Sequence, residues 1–112
     1  MAVAIDVSER GPGAYELRIS GELDLGGAPA LENSVRPLCE NGARTLTLDL
    51  RDLIFIDSTG LAAVVLASVV CEKHDCRCEL IPGPRQVQRL FEIAGLLDAL
   101  PFRDGGPRAP SG

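Results

Sequence analysis

The sequence predicts an α/β fold, a small mixed sheet of four to five strands with helices packed mainly on one face. Three observations predict it. Segments with strict apolar–polar alternation are interleaved with longer segments whose apolar residues recur every three or four positions, in the order β-β-α-β-α-β-α. Most of the alternating segments keep one polar face, whereas a sheet covered on both sides reads as continuous apolar runs. The first two strands are joined by the turn Arg10-Gly11-Pro12-Gly13, as in a hairpin.

The elements follow in order. Val3, Ile5 and Val7 alternate with Ala4, Asp6 and Ser8, a strand with one apolar face. Tyr15, Leu17 and Ile19 alternate with Glu16, Arg18 and Ser20 in a second. A helix opens at Pro29, buries Leu31, Val35 and Leu38 at helical spacing, is kinked or shortened by Pro37 and stops at Gly42. Leu46, Leu48 and Leu50 mark a third strand. The helix from about Ser58 to about Lys73 is apolar nearly all round, so it is expected to be the central buried helix. Cys78 and Leu80 mark a fourth strand. A third helix opens at Pro84, presents Val87, Leu90, Phe91 and Ala94 on one face and stops at Gly95. Leu96, Leu97, Leu100 and Phe102 form a short last apolar element. One domain is expected over residues 1–102, followed by a disordered tail over 103–112 rich in Gly, Pro, Arg and Ser.

Composition narrows the function classes. A chain of 112 residues with 46% hydrophobic residues can bury a core without disulfides or metal. A net charge of −5 with no basic stripe argues against nucleic acid as a partner. No secretory leader is expected at Met1-Ala2-Val3-Ala4-Ile5-Asp6, which lacks a basic region. The apolar stretch Leu61 to Cys71 is far short of the roughly 20 residues that span a bilayer, so no membrane role is expected. The reading is cytoplasmic, with the four Cys as thiols.

The junction Phe55-Ile56-Asp57-Ser58-Thr59-Gly60-Leu61 carries the functional signal. An apolar strand run stops at three small oxygen-bearing side chains, and a helix then begins, so Ser58 is placed where backbone N–H groups are unpaired and the helix dipole is positive. Such a place suits a phosphate. It also suits plain helix capping by Asp57, Ser58 and Thr59.

Three segments together carry a family resemblance: Gly21-Glu22-Leu23-Asp24; Leu48-Asp49-Leu50-Arg51-Asp52-Leu53 leading to Phe55 through Leu61; and Arg89-Leu90-Phe91-Glu92-Ile93-Ala94-Gly95-Leu96. In order and separation they cover nearly the whole chain, which resembles the STAS-domain anti-sigma factor antagonists, small bacterial regulators of partner-switching circuits. The resemblance implies a STAS fold and a protein that binds an anti-sigma factor, itself a serine kinase, and so frees a sigma factor. It implies that the kinase phosphorylates Ser58, that a phosphatase reverses the step, and that the partner-binding surface includes Asp24, Asp57, Ser58, Thr59 and Gly60. Gly60 is read as letting a partner approach the backbone closely, and Gly21 as serving a tight turn. The chain departs from the common pattern at Ala62, often Gly, and at Leu25-Gly26-Gly27-Ala28-Pro29, which lacks the polar residues often found there. A second reading keeps the fold and drops the kinase: a non-phosphorylated STAS scaffold module of a transporter or other complex.

Two catalytic or metal constellations compete. Ser58 and His74, the sole His, stand at opposite ends of one helix, about 24 Å apart at 1.5 Å per residue, which excludes a nucleophile–base pair. No catalytic residue and no cofactor is expected, and the chain reads as a kinase substrate rather than an enzyme. Cys71, His74, Cys76 and Cys78 lie within eight residues, yet the paired Cys-x-x-Cys spacing of zinc sites is missing. The expectation is therefore no metal, with Cys71 and Cys78 as small buried apolar residues, Cys39 as ordinary helix packing and His74 as a cation near a helix C-terminus.

Overall fold

In the computed structural model residues 2–103 are described. The elements are β1 (Ala4–Gly11), β2 (Ala14–Leu23), α1 (Ala28–Glu40), β3 (Thr45–Ile56), α2 (Ser58–Lys73), β4 (Arg77–Ile81) and α3 (Arg85–Ile93). The sheet order is β1-β2-β3-β4, with β1 antiparallel to β2 and the pairs β2–β3 and β3–β4 parallel. The expected α/β architecture, a four-stranded mixed sheet with three helices, is thus what the chain forms. Gly13, at φ +74°, turns the hairpin between β1 and β2. The two crossovers advance in the same direction across the sheet, and right-handed connections then place α1 and α2 on one face. There they pack against each other.

The register explains the core. Val7, Leu17, Leu48 and Leu80 form one row across the four strands. Leu17, Leu48 and Leu80 are fully buried beneath the helices, whereas Val7, at the sheet edge, stays half-exposed. Each helix contributes a narrower stripe than its sequence suggests. In α1 the buried residues are Leu31, Val35 and Cys39, with Leu38 only partly covered. Pro37 does not break α1, because the helix ends three residues later at Glu40 and Gly42, at φ +91°, reverses the chain. In α3 Val87 and Phe91 are buried while Leu90 and Ala94 are exposed.

The main correction concerns α2. It is not surrounded by protein: Leu61, Val64, Ala67, Val70 and Cys71 are buried, and Leu66 and Val69 face outward. The helix belongs to an outer layer, with the sheet beneath and α1 beside it, so one flank remains without cover. Gly21 is also not a turn residue. It lies inside β2 at φ +86°, and a Cβ there would strike the carbonyl of Ala2.

The last apolar element closes the far edge. Phe102 bridges Leu80 in parallel, an incipient fifth strand, and its ring meets Phe91 edge-on with centroids 5.1 Å apart. Arg103, expected in the tail, is held to the sheet: its N–H donates to the Leu80 carbonyl at 2.7 Å and its guanidinium pairs with Glu79 at 2.6 Å. The remainder of the expected tail, 104–112, lies outside the described residues.

On the polar side of the sheet sits a buried charge. Asp49 is 1% exposed, and its carboxylate accepts from the Arg51 backbone N–H and Nε at 3.0 Å each and from Arg51 Nη2 at 2.9 Å, with Arg18 at 4.0 Å. Burial pushes its pKa up, but the hydrogen bonds and charge of Arg51, helped by Arg18, outweigh burial and hold the carboxyl below its ordinary 3.8. A group with a depressed folded pKa stabilises the fold above its unfolded value and loses that contribution as pH falls. Asp49→Asn is expected to cost about 2 kcal/mol at pH 7, the scale of hydrogen bonds to charged groups. In urea denaturation the gap to wild type should narrow as the pH drops below about 4.

Candidate functional site

The site is built where β2 and β3 end side by side. Leu23 pairs with Ile56 in the parallel register, so the loop after β2 and the start of α2 emerge together. Asp57 is the N-cap of α2: its extended backbone (φ −115°, ψ −173°) turns the chain, and Oδ1 accepts from the Gly60 N–H at 2.9 Å. The Asp57 N–H donates in turn to the Leu23 carbonyl at 3.3 Å, and the Leu61 N–H donates to the Asp57 carbonyl at 2.9 Å. With those donors used, the N–H groups of Ser58 and Thr59 are the open ones at the helix start among the described residues.

Ser58 is exposed, and among the described residues no side-chain partner holds its hydroxyl. Thr59 and Asp57 are half-buried. Asp24 follows Leu23, the partner of Ile56, so it leaves the sheet on the neighbouring strand, and part of it is committed to shaping its own loop. Its carbonyl accepts from the N–H groups of Gly27 and Ala28 at 3.0 and 2.9 Å, and its Oδ1 accepts from the Gly27 N–H at 3.2 Å. This loop leads into α1, whose N-cap Gly27 offers no side-chain bond.

Gly60 has an internal role that the sequence did not reveal. It is buried, and a Cβ on it would collide with the Leu23 carbonyl and lie 2.8 Å from Ile56 Cγ1. Its missing side chain serves the close seating of α2 on the end of β2. The tertiary structure also adds residues that periodicity did not single out. Between Arg18↔Asp49 and Ser20↔Asp52, and again between Gly21↔Leu53 and Glu22↔Phe55, β3 holds one residue more than β2. These bulges break the two-residue alternation. Leu53 and Ile56 are buried, while Ile54 and Phe55 point outward, 54% and 47% exposed. Leu25, in the loop after β2, is 72% exposed. Three large apolar side chains thus lie on the segments that flank Ser58, a chemistry that suits docking of a protein. The only signal in the sequence is the unbroken run Leu53-Ile54-Phe55-Ile56, which reads equally well as a buried strand.

Residues 7–105 match the STAS domain. The anti-sigma-B factor antagonist of Staphylococcus aureus (strain NCTC 8325 / PS 47) is 32% identical over 91 residues, which cover 81% of this chain and 84% of that protein. The chain belongs to the anti-sigma factor antagonist family of STAS domains. Solved structures of this family share its fold. An anti-sigma factor antagonist from Mycobacterium paratuberculosis superposes with a TM-score of 0.77 at 23% identity, over 92% of this chain and 86% of that one. The Bacillus cell fate determinant SpoIIAA in its phosphorylated form superposes with a TM-score of 0.70 at 21% identity, over 89% of each chain. Among the described residues of this STAS domain, no helix is long and apolar enough to cross a membrane.

The STAS fold makes Gly60 a stringent position. Gly60→Ala is expected to lower stability by about 2–3 kcal/mol, the upper range for overpacking, because the atom it meets is a backbone carbonyl that cannot swing away. Chemical denaturation of the two proteins side by side measures this, and a loss under about 0.5 kcal/mol would show that α2 can lift off β2 at no cost.

Proposed function

We propose that this protein is a cytoplasmic anti-sigma factor antagonist that binds an anti-sigma factor with serine kinase activity. In this reading phosphorylation of Ser58 ends the association and a phosphatase restores it. The observation that carries it is the exposed, unheld Ser58 hydroxyl at the open start of α2, with Ile54, Phe55 and Leu25 exposed on the adjoining segments. The family membership and the existence of a phosphorylated form of SpoIIAA, a protein of the same fold, support it.

The physical switch is local. A phosphoryl group adds about −1.5 to −2 charges at neutral pH. The N–H groups of Ser58 and Thr59 and the helix dipole accommodate that charge without unwinding α2. Asp57 beside it and Asp24 across the gap add to the negative field, so a partner that fits the neutral surface meets charge and bulk on the modified one. The backbone therefore stays as it is while the surface changes.

Incubation with candidate anti-sigma kinases and ATP, followed by mapping of the phosphate by mass spectrometry, tests the assignment. Phosphate is expected on Ser58 and absent in Ser58→Ala, with Ser58→Asp binding the partner at least about tenfold more weakly than wild type. Phosphate confined to Thr59 would sink the assignment. Binding that survives with no phosphate from any kinase would favour the scaffold reading instead. The apolar rim gives an independent check. Phe55→Ala is expected to weaken partner binding by more than about 1 kcal/mol in calorimetry, as a central aromatic contact does, while leaving the unfolding midpoint almost unchanged.

A further inference from the structure

The opposite end of α2 holds a second concentration of chemistry. Cys71, in the last turn of α2, places its Sγ 3.7 Å from the Sγ of Cys39 in the last turn of α1. Cys76, on the approach to β4, brings a third sulfur, and the three lie within 4.8 Å of one another. All three residues are buried. Cys78 of β4 is half-buried and interacts electrostatically with Cys71 and Ser68, but it lies outside this trio. His74, the nitrogen ligand that the sequence suggests, is not part of this group: its Nδ1 lies 2.9 Å from the Val70 carbonyl.

We propose that Cys39, Cys71 and Cys76, completed by Cys78, form a thiolate site for one zinc ion that ties the ends of α1 and α2 to β4. Four sulfurs at about 2.3 Å from zinc stand about 3.8 Å apart at the corners of a tetrahedron. The Cys39–Cys71 separation already has that value, and the remaining pairs of the trio need to contract by no more than about 1 Å. Cys78, outside the trio, has to move in from β4 to close the shell. A disulfide would use two of these sulfurs, whereas the convergence of three buried ones on one point is the pattern of a soft metal.

Metal binding has to displace protons that burial holds on these thiols, so the geometry of the sulfurs and not their acidity carries the site. Burial, then the neighbouring Cys71, pushes the Cys39 thiol up to about 11. Burial first, then the other two thiols, pushes Cys76 up to about 12. The hydrogen bond to Cys78 and then burial drive Cys71 higher still. Without metal these are protonated thiols, poor nucleophiles and slow to oxidise. Zinc entry forms four Zn–S bonds, breaks four S–H bonds and releases four protons to solvent, with no electron transferred. Arg36, one turn before Cys39, favours its thiolate and offsets part of the negative charge of the loaded site.

The test uses the full chain, reduced by a phosphine and stripped with a chelator, titrated with Co(II) and then Zn(II). One Co(II) per chain is expected, with thiolate charge-transfer absorption and tetrahedral d–d bands, displaced by one Zn(II). Zinc should also shield all the cysteines from a thiol reagent and raise the unfolding temperature. Cys39→Ser should abolish the cobalt spectrum, and Cys78→Ser should alter its d–d bands. If Cys39→Ser does not fold, alkylation of the wild type with and without Zn(II), read at Cys39 by mass spectrometry, decides the same point. Absence of cobalt binding, or binding unchanged by loss of Cys39, would each overturn the proposal. Partner binding is not the readout, so these outcomes are independent of the role of Ser58.

Discussion

The close approach of Gly60 to the Leu23 carbonyl is the constraint on which the functional end of this domain depends. It brings α2 down onto the end of β2 with no side chain between them. The Asp57 N–H then reaches the same carbonyl, and Asp57 Oδ1 caps the helix through Gly60. A single point of backbone contact thus fixes the entry angle of α2, the position of Ser58 and the distance to the loop that carries Asp24. The fold accepts a glycine in a helix, a choice that costs about 1 kcal/mol of propensity, because any larger residue would push the two chain ends apart.

The bulges of β3 work with that constraint. Two extra residues rotate the strand so that Ile54 and Phe55 leave the core while Leu53 and Ile56 stay in it. A regular strand would have kept Ile54 on the buried face with Leu50 and Ile56. The same strand buries Asp49, whose pairing with Arg51 satisfies a carboxylate that the polar face would otherwise leave in a poorly solvated place. Strand irregularity therefore supplies the apolar surface, and the arginine contacts supply the compensation.

Helix α2 has two chemically different ends. Its start is exposed and offers the backbone N–H groups of Ser58 and Thr59, suited to an added negative charge. Its last turn is closed and sulfur-rich, against α1 and the approach to β4. Because both ends belong to one rigid helix of 16 residues, any tie formed at the closed end limits motion of the helix as a whole, Ser58 included.

Much of this was legible in the chain itself. The order of elements, the alternate leucines of the core, the cap at Asp57 and the position of Ser58 at a helix start all follow from local rules, because periodicity and capping involve residues a few positions apart. The burial of one face of α2, the outward turn of Ile54 and Phe55, the internal role of Gly60 and the meeting of Cys39 with Cys71 across 32 positions were decided by the tertiary structure alone. Each depends on which strand, helix or carbonyl a residue meets from a distant part of the chain, and no local pattern in the sequence carries that contact.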